Sequence, residues 1–184
     1  MENIEFKVIG KNVTIYPLAK IVFPENISIG DETVIDDFAF IYGAGKGIKI
    51  GNFCHITTHC VVQSGGLLEI GDFSGIGPGS IILAATDDYQ GQGFIGLKLF
   101  GDKYRNLKFS DVIIGRQVHI GAGSIILPGV SIGDGCSVGA GSIVTRDLPP
   151  WKICYGSPCK PMKDKPREKQ LKMEKEFLKQ YYKQ

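Results

Sequence analysis

The chain is short of the residues from which many catalytic and structural centres are built. Its 184 residues include three histidines, one tryptophan and five cysteines. An odd cysteine count without a CxxC spacing speaks against a disulfide framework or a zinc site and for reduced thiols. No apolar run is long enough to cross a bilayer. The opening MENIEFKVIG lacks the basic-then-apolar layout of a secretory signal, so the expected compartment is the cytoplasm. An excess of one charge is missing too. Lys and Arg number 21 against 19 Asp and Glu, a net charge of +2, which gives none of the strong field of a nucleic-acid binder. Walker, Rossmann and metal-ligand signatures are absent, and no metal is expected. The phosphate-loop look of IGPGS and IGAGS dissolves once they are read as pieces of a longer period.

Glycine, in contrast, is abundant. Its 25 residues are close to twice the usual ~7% share. Helix interiors tolerate glycine poorly, which speaks against a mainly helical protein. Length and a 43% hydrophobic content fit one domain with a sizeable core.

The dominant pattern is a six-residue repeat. From Ile114 the chain reads IGRQVH, IGAGSI, ILPGVS, IGDGCS, VGAGSI, VTRDLP. The same spacing runs upstream in triplets: Ile9, Ile15, Ile21; Ile29, Ile35, Ile41; Ile50, Ile56, Val62; Ile70, Ile76, Ile82. Every departure from six falls after the third member of a triplet. An 18-residue unit with insertions at one corner describes a coil of triangular section, repeated about six times. Four residues after each aliphatic stands a small residue, such as Cys54, Cys60, Ser74 or Ser142, with Glu25 and Leu148 as exceptions. Two inward residues separated by one outward residue is strand alternation. Ile and Val suit the inward slots because β-branched chains are stiff and pack well on pleated surfaces. No single coil can bury its inner face alone, so the coils must stack.

This pattern resembles the hexapeptide-repeat acyltransferases over roughly residues 9–163. The resemblance implies a left-handed parallel β-helix; periodicity by itself leaves the hand open, and most parallel crossovers are right-handed. The run from Val112 to Asp164 is similar to the galactoside, maltose and xenobiotic acetyltransferase branch. TDDYQGQG followed by KYRN looks like a subgroup of sugar acetyltransferases associated with surface polysaccharides. The family implies acetyl-CoA as co-substrate, a homotrimer with sites between subunits, and a sugar or nucleotide-sugar acceptor.

Two segments leave the repeat. About 25 residues, 87–111, are inserted between Ile82 and Ile114; their five aromatics predict an ordered loop that packs on something. The helix part of the domain thus spans 1–150. Residues 151–184 form an extension whose last 22 residues hold eight basic and four acidic side chains. Leu171, Phe177, Leu178, Tyr181 and Tyr182 fall near helical spacing, predicting a short amphipathic helix that caps the open end of the coil.

Histidine is the usual neutral-pH base. His55 and His119 each precede an inward aliphatic in the second hexad of their coils, so both project from one face. They stand two coils apart, roughly 10 Å, with Gly75 leaving a hollow between them. His59 falls at a turn. A zinc reading would need all three, and His55 and His59 are separated by a turn. In the family, the base stands at the start of the long loop, where this chain has Asp87; a tryptophan contacting substrate is matched by His119. The polysaccharide subgroup shares the Cys54-His55-Ile56 element. These comparisons make His55 the expected base, with Asp87 or Asp88 across a subunit cleft, and Asp87, Asp88, Tyr89 and His119 as acceptor contacts. The galactoside branch holds its donor with residues matched here by Ala122, Ala140, Thr145, Arg146, Lys160 and Lys163. The cations suit phosphates, and the alanines leave room for a pantetheine arm. Cys54, Cys60 and Cys136 fill inward slots, so covalent catalysis is not expected.

The reading that follows is an acetyl-CoA-dependent acetyltransferase acting on a sugar hydroxyl. The alternative is N-acetylation of a nucleotide-linked amino sugar, where an amine needs less help from a base. A non-catalytic scaffold or carbohydrate binder is the rival outside enzymes.

Overall fold

A computed structural model describes residues 5–183. The first four residues and the last of the expected segment boundaries lie outside it. Three parallel sheets wrap one core. The first runs from Val8–Ile9 through Ile27–Ile29, Ile48–Ile50, Leu68–Ile70 and Val112–Ile114 to Ser131–Ile132. The second begins at Thr14–Ile15 and passes through Val34–Ile35, His55–Ile56, Gly75–Ile76, His119–Ile120 and Ser137–Val138. The third holds Lys20–Val22, Phe40–Tyr42, Val61–Gln63, Ile81–Leu83, Ile125–Ile126 and Ile143–Val144. Each aliphatic slot pairs in register with its counterpart one coil away, as in Ile56↔Ile76↔Ile120. The inward aliphatics of the second to sixth coils are buried, whereas Ile9 is 52% exposed because, among the described residues, no coil lies beneath the first.

The glycine that follows the first aliphatic of a coil is explained by close approach. A Cβ on Gly71 would fall 2.6 Å from the backbone nitrogen of Arg116 in the next coil, and the other five are as crowded. Stacking at strand distance leaves no room there for any side chain.

The coil is longer than six turns. Leu148 bridges Ile132, and Lys152–Gly156 pairs parallel to Ser137–Val138, setting Cys154 beside Val138. Leu148 and Cys154, six residues apart and both buried, begin a partial seventh turn. The expected boundary at 150 falls inside it. Cysteine in an aliphatic slot and the Pro149-Pro150 interruption hide this turn from a search for Ile and Val. Cys159–Asp164 then folds back antiparallel on Lys152–Gly156.

The helix α1, Glu168–Tyr181, forms where expected but does not cap the open end. It lies along the corner between the first and second sheets. Phe177 and Tyr181 meet Phe53 edge-on at 5.3 and 5.1 Å, Glu174 pairs with Arg116, and the Tyr181 hydroxyl donates to Glu32 at 2.8 Å. The corner itself offers the apolar surface: Phe53 and Phe73 take left-handed backbone angles there and stack at 4.7 Å, so their rings point out of the coil. An aromatic ledge gives the helix stripe a partner along the side of the prism.

The inserted loop leaves the fourth coil through a short antiparallel pair, Ala85–Thr86 with Lys108–Phe109. Phe94 packs on Phe100 and Tyr104 at 5.2 and 6.2 Å, giving the loop a small centre of its own.

Candidate active site

Ile56 and Ile120 are fully buried, so alternation turns His55 and His119 outward on the second face. The register sets Gly75 directly between them. A methyl group on Gly75 would lie 3.7 Å from His119 Nδ1, so that imidazole leans over the glycine. His55 Nε2 lies 3.0 Å from Asp36 Oδ1. Asp36 follows inward Ile35 one coil away and faces out beside Thr57. The alternation signal that located His55 also locates Asp36; the pairing was missed because it joins residues 19 apart in the chain. Through this contact, a carboxylate of the same chain orients the imidazole and leaves Nδ1 for a substrate. His59 belongs elsewhere: its ring stacks on Phe38 at 5.1 Å at the next corner. Among the described residues no group of three or more His, Cys, Asp or Glu is arranged to hold a metal.

Asp87 and Tyr89 line a cavity of about 240 Å³ at the root of the inserted loop, with Gln63, Leu83 and Ile95. Asp87 Oδ1 accepts a long 3.3 Å hydrogen bond from Gly96 N–H, and Tyr89 is 87% exposed. Asp88 corrects an expectation. It is only 3% exposed and accepts from Gln92 N–H at 2.5 Å and from Asn106 Nδ2 at 3.3 Å. These bonds, above all the one from Gln92, hold its carboxyl below the usual range. Asp88 ties the loop together and is not free to hold an acceptor. One chain leaves His55 on the second face and Asp87 at the end of the third, so it does not bring them together.

Ala122 and Ala140 lead stacked turns at the corner between the second and third sheets. Gly141 N–H donates to Ala122 carbonyl at 2.8 Å, and Gly123 N–H donates to Pro78 carbonyl at 2.8 Å. Gly123 and Gly141 have positive φ with open space where a Cβ would point, so this corner is smooth. Thr145 and Arg146 are exposed just after Ile143–Val144. Lys160 stands opposite Tyr155, and Lys163 opposite Ile153, both exposed on the terminal hairpin. The five thiols are free and buried. Burial pushes Cys54 up to about 11 and Cys136 up to about 12, which leaves no thiolate nucleophile.

A three-sided parallel coil with outward imidazoles and a long corner loop is the frame on which the comparisons with known proteins fall. The bacterial transferase hexapeptide model (six repeats) matches residues 111–146. The dTDP-4-amino-4,6-dideoxy-D-glucose acyltransferase of Escherichia coli is 33% identical over 178 residues, covering 96% of this chain and 91% of that protein. The chain belongs to the hexapeptide-repeat transferase family and is an acyltransferase. AntD, an N-acyltransferase from Bacillus cereus, superposes with a TM-score of 0.90 at 38% identity in a variant bound to dTDP and coenzyme A, covering 96% of this chain and 93% of that one. A second AntD variant, bound to dTDP-4-amino-4,6-dideoxyglucose and coenzyme A, gives 0.89 at 39%, covering 95% and 91%. The putative colanic acid biosynthesis acetyltransferase WcaF of Escherichia coli K12 is 28% identical over 82% of this chain and 65% of that protein. The nearly full-length likeness is therefore to amino-sugar N-acyltransferases, which backs the amine reading above the hydroxyl reading.

Proposed function

We propose that the chain transfers an acyl group from an acyl-CoA to the amino group of a dTDP-linked amino sugar. The observation that carries this is the near-complete likeness to a relative named for that acceptor, over 96% of the chain, and to AntD, solved with that acceptor bound, over 95%. The amine attacks the thioester carbonyl, an amide forms and the thiolate of coenzyme A leaves. His55, oriented by Asp36, takes the proton that the amine sheds and returns it to the leaving thiolate. Asp87 and Tyr89 receive the sugar, and His119 contacts it over Gly75. Ala122, Ala140, Thr145, Arg146, Lys160 and Lys163 hold the acyl-CoA.

The working unit in this reading is a homotrimer in the cytoplasm. The third face supports it: Ile81, Leu83, Ile125, Leu127 and Ile143 alternate outward as an apolar strip. The loop adds exposed Tyr89, Leu97 and Leu99. A second subunit laid on that strip would bring Asp87 of one chain toward His55 of the next. Free thiols fit a reducing compartment. Among the described residues no helix is long and apolar enough to cross a membrane. The test is incubation with acetyl-CoA and dTDP-4-amino-4,6-dideoxyglucose, followed by mass spectrometry. One added acetyl group, carried as an alkali-stable amide, is expected. Acetylation only of sugars lacking an amine would overturn the reading.

A further inference from the structure

At the corner between the first and second sheets, Phe53, Phe73 and Gln117 take left-handed backbone angles in three consecutive coils. Gly135 follows them one coil on, and the Trp151 ring covers it: a Cβ on Gly135 would fall 2.5 Å from the indole. The corner is therefore a ladder of outward rungs, two phenyl rings, one amide and one indole. Helix α1 crosses this ladder without filling it. Between them lies a cavity of about 430 Å³, walled by Phe53, Phe73, Phe177 and Met173 and bordered by Gln117 and Glu174. Gln117 is only 4% exposed, and the Glu174 side chain 9%. Gln117 Oε1 and Glu174 Oε2 are buried, and among the described residues neither has a hydrogen-bond partner. The other Glu174 oxygen is taken by Arg116, which balances its charge. Buried acceptors without donors are costly and rare in native proteins.

The two acceptors ask for two donors. Because Arg116 neutralises the carboxylate, a neutral donor group fits better than an ammonium, whose charge would be buried uncompensated. A single water would meet both oxygens but leave the aromatic walls bare. A flat ring with one amino group does both. Adenine in a nucleotide has this form, since its only N–H donors on the ring system are the two of its amino group. One meets Glu174 Oε2. The other meets Gln117 Oε1 while Gln117 Nε2 donates to ring N7, the bidentate pairing by which a Gln amide reads adenine. Guanine adds a ring N–H for which no acceptor remains. Cytosine has the amino group on a smaller ring that covers less of the aromatic wall. Thymine has one N–H and no amino group.

A nucleotide also needs charge within reach of its phosphate. Gln170 borders the cavity too, and one turn back along α1 Arg167 and Lys165 border a second cavity of about 440 Å³ beside Trp151, with Asp164 and Glu168. Lys165 Nζ lies over the indole at 5.9 Å. We propose that the cavity under α1 binds the adenine ring of a free adenine nucleotide, read by Gln117 and Glu174, with the phosphate directed along the helix toward Lys165 and Arg167. This site is separate from the donor residues at the corner led by Ala122 and Ala140, which lies on the other side of the second face. It adjoins the imidazole column, because Phe53, Phe73 and Gln117 each stand two residues before His55, Gly75 and His119. Coenzyme A also carries adenine, and the test separates the two sources.

Titration calorimetry with AMP, GMP, dTDP and coenzyme A is run on the wild-type protein, Gln117→Leu and Phe177→Leu. AMP is expected to bind the wild type, and GMP at least tenfold more weakly. Gln117→Leu nearly keeps side-chain volume and leaves the Arg116–Glu174 pair in place. It is expected to raise the Kd for AMP about tenfold, the size of one lost buried hydrogen bond, and to leave those for dTDP and coenzyme A unchanged. Phe177→Leu trims a wall from the helix side and is expected to weaken AMP as well, so the proposal stays testable should Gln117→Leu not fold. A wild type that binds no AMP at millimolar concentration, or binds GMP equally well, would overturn the site. So would variants that bind AMP as the wild type does. Displacement of AMP by coenzyme A, with Gln117→Leu weakening both alike, would give the cavity to the donor's own adenine. Weakening confined to dTDP would give it to the acceptor.

Discussion

His55 Nε2 and Asp36 Oδ1 stand 3.0 Å apart on the outer surface of the second sheet, one coil from each other. The carboxylate comes from just past the strand Val34–Ile35, one coil away on the same chain. It fixes the ring by one nitrogen and leaves the other free. The orientation of the proposed base therefore does not wait for a neighbouring subunit.

His55→Ala is expected to lower kcat by ~10²–10⁴-fold, the range for losing a positioned general base, with the KM for acyl-CoA nearly unchanged. Asp36→Asn should lower kcat less, because an amide still holds the ring. His119→Ala should cost less than His55→Ala. Steady-state kinetics on the three variants decides this; a dead His119→Ala beside an active His55→Ala would move the base to the other imidazole.

The donor residues are tested through KM. Arg146→Ala combined with Lys160→Ala removes two exposed cations and should raise the KM for acyl-CoA far more than that for the acceptor. Equal effects on both substrates would place the donor elsewhere.

Two glycines should answer differently. A Cβ on Gly121 would fall 2.4 Å from the backbone nitrogen of Ala140, and neither backbone can move away. Gly121→Ala should lose roughly 1–3 kcal/mol or more in urea unfolding. A Cβ on Gly75 meets only His119 Nδ1, at 3.7 Å. Gly75→Ala should unfold like the parent yet reduce kcat/KM, because the methyl group fills the space between the imidazoles.

Loop order should depend on acid. Asp88 has its pKa lowered by the Gln92 N–H, so its bonds stabilise the loop above the ordinary carboxylate range. That contribution falls away as pH drops through the depressed value. Exchange of the Gln92 amide, corrected for intrinsic rate, should accelerate only at the acid end, and Asp88→Asn should flatten the dependence. Gln92 protection in the wild type that stays unchanged down through the acid range would show that Asp88 does not tie the loop.

Sedimentation should report three chains at micromolar concentration, and Leu83→Glu, on the third face, should shift the mass toward one. A wild-type monomer would remove the basis for a site shared between chains.

Much of this molecule can be read from local pattern. A hexad period with an aliphatic at its head and a small residue four places on defines two inward slots per strand. Insertions restricted to every third hexad define the corners. Alternation then assigns each residue an inside or an outside, so His55, His119 and the Gly75 hollow fall on one face before any coordinates are known. The inserted loop and α1 announce themselves where period six stops.

What the tertiary structure decided are the relations between coils and with the segments outside them. Stacking register makes Asp36 a neighbour of His55, and no local period records a contact 19 residues away. An amphipathic stripe on α1 says that the helix must dock; only the left-handed corner at Phe53 and Phe73, which throws two rings outward, decides that it docks along the side and leaves a cavity at Gln117. Asp87 and Asp88 are adjacent carboxylates with identical chemistry. The fold of the loop around Gln92 and Asn106 turns Asp88 inward and leaves Asp87 at the cavity, because a buried carboxylate must find donors and its neighbour, pointing the other way, need not.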